Sequence, residues 1–147
     1  MGISIEKDAS LSPAIPEPDD DTPGERIRRT RLSKHMCLVD LAKATGLSVV
    51  SLRLAEQNRT TVTPTNLRTI ADALGVSVAY LGCFESLSED TLGQRIRKAR
   101  LYHGYTKREF AKIFGLSSRM ILGWEKDEFL PSDKYLPLLN EYLSILI

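Results

Sequence analysis

Ser118 and Arg119 are the residues of this 147-residue chain whose types and placement most directly suggest chemistry. A guanidinium offers a rigid fork of donors, and a hydroxyl both donates and accepts a hydrogen bond. Adjacent at the start of a short helix, the two suit hydrogen bonding to the edges of nucleic-acid bases. The stretch that must position them is Thr106–Glu125. Thr106 can cap a helix whose Phe110, Ala111 and Phe114 fall on one face. Gly115 can take the left-handed conformation that ends it. Ser117 then caps a second helix, with Ile121 and Trp124 towards a core and Ser118 and Arg119 on the opposite side.

Two short helices joined this tightly form a helix-turn-helix pattern, in which the first turn of the second helix meets the major groove. The pattern occurs twice. A shift of about 69 residues lays Thr22–Asn58 over Thr91–Asp127. Gly24, Arg26, Ile27, Arg28, Arg31 and Leu32 then match Gly93, Arg95, Ile96, Arg97, Arg100 and Leu101. Ala42, Lys43, Gly46, Leu47, Ser48 and Glu56 match Ala111, Lys112, Gly115, Leu116, Ser117 and Glu125. A repeat of this length predicts two copies of a small helical domain, not a solenoid.

In chain order, residues 1–21 hold Pro13, Pro16, Pro18 and the run Asp19-Asp20-Asp21, and read as a disordered acidic leader. Residues 22–82 are the first expected domain. Thr22 caps it, Pro23 opens it and Glu25 completes a capping box, with Ile27 inward and Arg26, Arg28 and Arg29 mostly outward. Further helices are predicted from Cys37 or Leu38 to Gly46, from Ser48 to about Gln57, from Thr63-Pro64 to Gly75, and briefly after Ser77. Residues 83–90 form a short linker, with the domains packed against each other or held at restricted angles. Residues 91–147 repeat the first three helices, and a fourth begins at Ser132 or Asp133, with no fifth after it.

The near-neutral net charge of +1 hides an asymmetry. Residues 1–21 carry six acidic groups against one lysine, while both later segments are mildly basic. Cys37 and Cys83 match no metal or redox spacing and read as reduced thiols. His35 and His103 have no cysteine or acidic cluster beside them. With no Ser/His/Asp set, no phosphate cradle and no zinc spacing, the expectation is a non-enzyme without metal or cofactor. No apolar stretch is long enough for a membrane span.

Both halves resemble the lambda-repressor-like, or XRE/Cro-type, helix-turn-helix family. The resemblance rests on Gly24-Glu25-Arg26-Ile27-Arg28, Leu41-Ala42 with Gly46-Leu47-Ser48, and Ile70–Ser77 in the first half. In the second it rests on Leu92–Arg97, Phe110-Ala111 with Gly115-Leu116-Ser117, and Trp124-Glu125. It implies an all-α fold of two tandem domains, of five helices and then about four. It further implies a transcriptional regulator of phage, mobile-element or bacterial repressor type that binds double-stranded DNA in the bacterial cytoplasm or nucleoid, commonly as a homodimer.

Carried onto this chain, the resemblance makes Ser118 and Arg119 base readers, with Gly123 allowing close approach. Thr106, Lys107, Arg108, Ser117 and Lys126 fall where phosphates would be met. In the first half the reading positions are Val49, Val50 and Leu54, which lack bidentate donors. Ser48, Ser51, Arg53, Arg59 and Thr60 are its polar candidates for DNA. Alternatively Leu38, Val49, Val50 and Leu54 form an apolar face for another regulatory protein, making the chain an antiactivator or adaptor. Arg31 with Glu56 and Arg100 with Glu125 are expected to be structural ion pairs.

Overall fold

The structure, a computed structural model, describes residues 21–147. The reading of residues 1–20 as a leader lies outside the described residues. Those described are helical, with no strand among them. The helices are α1 (Pro23–Ser33), α2 (Leu38–Thr45), α3 (Val49–Glu56), α4 (Pro64–Leu74), α5 (Val78–Leu81), α6 (Leu92–His103), α7 (Lys107–Phe114), α8 (Ser118–Glu125) and α9 (Leu136–Leu143).

Local chemistry accounts for most of the boundaries. The side chains of Thr22, Ser48, Thr63, Ser77, Thr91, Thr106 and Ser117 each accept a backbone N–H in the first turn of the helix they precede. Gly46, Gly75, Gly104 and Gly115 end helices in the left-handed region, with φ between +69° and +77°. The expected fourth helix of the second half starts late. A 3-10 turn over Asp133–Tyr135 comes first, and α9 then begins with Pro137 in its first turn, where a missing N–H is tolerated. A further 3-10 turn, Ser144–Leu146, follows α9 where no helix was expected.

The capping box expected from Glu25 is not formed. The start of α1 is tied down by Asn58, 34 residues beyond Gly24: its Oδ1 accepts the Gly24 N–H at 3.0 Å, and its Nδ2 donates to Thr22 Oγ1 at 2.7 Å. Asp127 does the same in the second half, accepting the Gly93 N–H at 2.9 Å and the Thr91 hydroxyl at 2.6 Å. A polar residue just past the third helix thus clamps the start of the first. The approach is close enough to require glycine. A Cβ on Gly24 would lie 2.4 Å from the Ala55 carbonyl oxygen, and one on Gly93 2.4 Å from that of Trp124.

Each clamp adjoins a buried ion pair. Arg31 donates from Nε and Nη2 to Glu56 at 2.7 and 2.9 Å, and from Nη1 to the Met36 carbonyl at 2.8 Å. Arg100 donates to Glu125 at 2.6 and 3.1 Å, and to the Tyr105 carbonyl at 2.9 Å. Above these pairs lie two separate cores. One gathers Ile27, Leu41, Leu52, Leu67, Ile70, Leu74 and Leu81. The other gathers Ile96, Phe110, Phe114, Ile121, Trp124, Leu139 and Leu143, and is much richer in rings.

The two sets of helices are locked together. α5 packs on α6. Arg68 of α4 donates to the Gly104 carbonyl at 2.6 Å and grips both Glu109 oxygens at 3.1–3.2 Å. Lys98, buried on α6, donates to the carbonyls of Glu85 and Leu87 and to Glu89 at 2.6 Å. Arg26 and Arg29 are not turned outward as expected. Arg26 donates to the Tyr80 carbonyl at 2.7 Å, lies over the Tyr80 ring, and pairs with Asp21 and Glu85. Arg29 also pairs with Asp21, whose carboxyl these hydrogen bonds lower to about 2. A tyrosine face and two carboxylates offer a guanidinium more than solvent does.

Glu125→Ala strands Arg100 without its carboxylate and is expected to cost about 3–5 kcal/mol in urea unfolding, whereas Arg100→Met with Glu125→Leu should be close to neutral. Arg68 holds Glu109 below its usual carboxylate value of 4.5. A depressed carboxylate stabilises the fold fully above that unfolded value and loses the contribution as pH falls below it. Arg68→Met should therefore flatten the decline of the urea midpoint as pH falls below about 4.5.

Candidate nucleic-acid interface

α8 is fixed from below by the burial of Ile121 and Trp124 and by the Arg100–Glu125 pair. Its first turn faces solvent, and Ser118 and Arg119 are exposed. Ser117 is committed to capping, accepting the Met120 N–H at 3.4 Å. Beside this turn is an open hollow of about 400 Å³, lined by Arg108, Ala111, Lys112, Leu116, Ser117 and Ser118. The two cations come from α7 and the two hydroxyls from α8. Such a hollow attracts an anion by charge and can hydrogen bond it. Lys112 was missing from the sequence-based set of contacts. Its signal was available in the repeat, where Lys43 and Lys112 coincide.

The start of α7 is less open to phosphate than expected. Glu109 Oε1 accepts the Thr106 N–H at 2.9 Å, and its carboxylate stays charged beside Arg68. A carboxylate on the first turn already complements the helix dipole and repels a second anion. Lys107 is half-buried and Arg108 exposed, so positive charge on this face is carried by side chains, not by the Thr106 amide. Lys126 is exposed at the end of α8.

Gly123 does not offer the bare surface expected of it. The Phe129 ring lies against it, and a Cβ there would meet that ring at 2.2 Å. In the first half Leu54 stands at the position of Gly123, and Thr60 at that of Phe129. Bulk has exchanged sides across the same contact.

The first half presents a different face. Ser48 Oγ accepts the Ser51 N–H at 3.0 Å and donates to Ser51 Oγ at 2.9 Å, so both hydroxyls serve the α3 cap. Arg53, Arg59 and Thr60 are exposed. Val49 and Leu54 are half-buried. Leu38 was expected to extend an apolar face but packs on the Leu41–Leu52 core instead, because its position on α2 turns inward. What remains exposed is Val50, at 61%, with Val39 of α2 at 49%. Asp40 stays deprotonated by accepting the Cys37 N–H at 3.0 Å, which leaves a negative charge at the start of α2.

Among the described residues no cluster of His, Cys, Asp and Glu could hold a metal, and no helix is long and apolar enough to cross a membrane. Residues 27–81 match the helix-turn-helix family. That match indicates DNA-binding regulators and spans most of α1 through the end of α5. No curated protein and no solved structure matched the chain. Within the matched segment, α2 and α3 are the two helices joined by the Gly46–Ser48 turn; α7 and α8, joined at Gly115–Ser117, repeat their lengths and the left-handed glycine and capping serine of that turn.

Phe129 is 41% exposed. Its removal in Phe129→Ala should therefore cost roughly 1–2 kcal/mol, below the loss for a fully buried ring, and thermal melting of the variant checks this.

Proposed function

We propose that this chain is a sequence-specific double-stranded-DNA-binding transcriptional regulator of repressor type, built from two tandem helix-turn-helix domains. The second would do most of the base reading. The observation that carries this reading is the exposed first turn of α8, where Ser118 and Arg119 adjoin the hollow holding Arg108 and Lys112. Arg119 has the reach and forked geometry for guanine, and Ser118 serves either base type. Arg108, Lys112, Lys107 and Lys126 supply phosphate contacts. Binding by α3 would add the phosphate contacts of Arg53 and Arg59 and apolar contact from Val50 to thymine methyls. The family match over residues 27–81 supports the regulator class.

The second reading is an adaptor that meets another protein, or a second copy of the chain, through the first half. The exposed pair Val39 and Val50 favours it, since both leave apolar surface open to solvent.

Selection from a random duplex library at near-physiological salt separates the two. Enrichment of a two-part site is the outcome expected of the regulator; absence of any enriched sequence transfers the case to the adaptor. Arg119→Ala should cost about 1–3 kcal/mol on the selected site and relax preference at one base pair. Lys112→Gln should weaken selected and random duplexes alike and reduce the salt slope by about 1. Equal losses for Arg119→Ala on both duplexes would remove its reading role.

A further inference from the structure

The internal repeat allows each half to serve as a reference for the other. Trp124 is buried in the second half and lies 5.6 Å, centroid to centroid, from the Tyr135 ring. At the matching positions the first half has Ala55 and Asn66. Met120, one turn before Trp124 on α8, corresponds to Ser51. Three large side chains are thus replaced by three small ones. The exchange of Phe129 for Thr60 does not add to the deficit, because Leu54 in place of Gly123 offsets it.

The surrounding frame has not closed over the missing bulk. The Asn58 clamp and the Arg31–Glu56 pair hold α3 against α1 just as Asp127 and Arg100–Glu125 hold α8 against α6. Ile70 and Leu74 are buried, as are their counterparts Leu139 and Leu143. A cavity of about 220 Å³ remains, and Ala55, Asn66, Ser51 and Thr60 are all on its wall. Its floor is Leu52 and Ile70. Benzene occupies an engineered apolar cavity of roughly 150 Å³, so a bicyclic ring system is the size that fits here.

We propose that this cavity is a binding site for a small planar bicyclic aromatic molecule bearing a polar edge. Its floor matches the ring faces, as in the second half an indole fills the equivalent position. Asn66, Thr60 and Thr61 surround the mouth with amide and hydroxyl groups that can meet a ring N–H or a ring substituent. Since Ser51 and Leu54 belong to α3, an occupant touches the helix that carries Val50.

Indole is the probe, titrated into the full ¹⁵N-labelled chain and followed by amide chemical shifts. Saturable shifts at Ser51, Thr60, Thr61 and Asn66 are expected. Ala55→Trp supplies the missing ring covalently and should weaken indole by at least about tenfold while keeping a dispersed spectrum. If that variant fails to fold, Ser51→Met narrows the same cavity from its edge and should weaken indole by about threefold or more. Cyclohexanol, which is not planar, should bind at least about tenfold more weakly than indole. The proposal is overturned by non-saturable shifts, by shifts centred outside this wall, by unchanged affinity in the folded variant, or by cyclohexanol binding as well as indole.

Discussion

A buried guanidinium cannot shed its charge, so wherever one is placed in a fold it must find acceptors for its donors. Arg31 and Arg100 each find three: two carboxylate oxygens on the last residue of the third helix and one carbonyl in the turn after their own helix. That demand fixes the third helix at one end. The clamp from Asn58 or Asp127 to the start of the first helix fixes it again one turn on. Between them these contacts determine the angle and register at which α3 and α8 leave the core. The exposed first turn on the far side can then vary without disturbing the frame. Val49 and Val50 stand in one half where Ser118 and Arg119 stand in the other, on helices with the same lengths and caps.

The frames are coupled by polar contacts that single-domain reasoning would not anticipate. Arg68 and Lys98 each satisfy carbonyls belonging to the other half or to the connection, and each also takes a carboxylate. Lys98 is nearly inaccessible, so the connecting residues 85–89 wrap a charge and are not a free tether. Arg68 has a second consequence. It holds Glu109 below its usual carboxylate value; that carboxylate puts negative charge at the start of α7, while the hollow next to α8 carries Arg108 and Lys112.

The elements were legible in the sequence because their signals are local. Caps such as Thr63, Ser117 and Thr106, and the left-handed glycines at 46, 75 and 115, act within a turn of where they are read. The late start of α9 was also local, but Ser132-Asp133 resembles a helix start whether a 3-10 turn or an α-helix follows. The misread residues have distant partners. Gly24 is held by Asn58, 34 residues on; Arg26 turned inward to Tyr80, 54 residues on; Gly123 is covered by Phe129 after the chain has reversed. Lys112 was overlooked for the opposite reason. It is a repeated residue but lies outside the first turns of the two helices, and only the folded surface brings it beside Ser118.

The two halves of the chain, laid over one another, also separate what a frame requires from what a site requires. The Arg–Glu pairs, the close glycines and the clamping Asn or Asp, present in both halves, answer a demand of packing or hydrogen bonding internal to each half. Two of the places where the halves differ are the outward turn of the third helix and the space behind it. In the second half that space is filled by rings and the outward turn is polar and cationic. In the first half the space is open and the outward turn apolar. A packed core beneath a helix stiffens it, whereas a void leaves its lining without contacts on one side. The basic turn of α8 thus rests on a core packed with rings, and the apolar turn of α3 borders a space left open on one side.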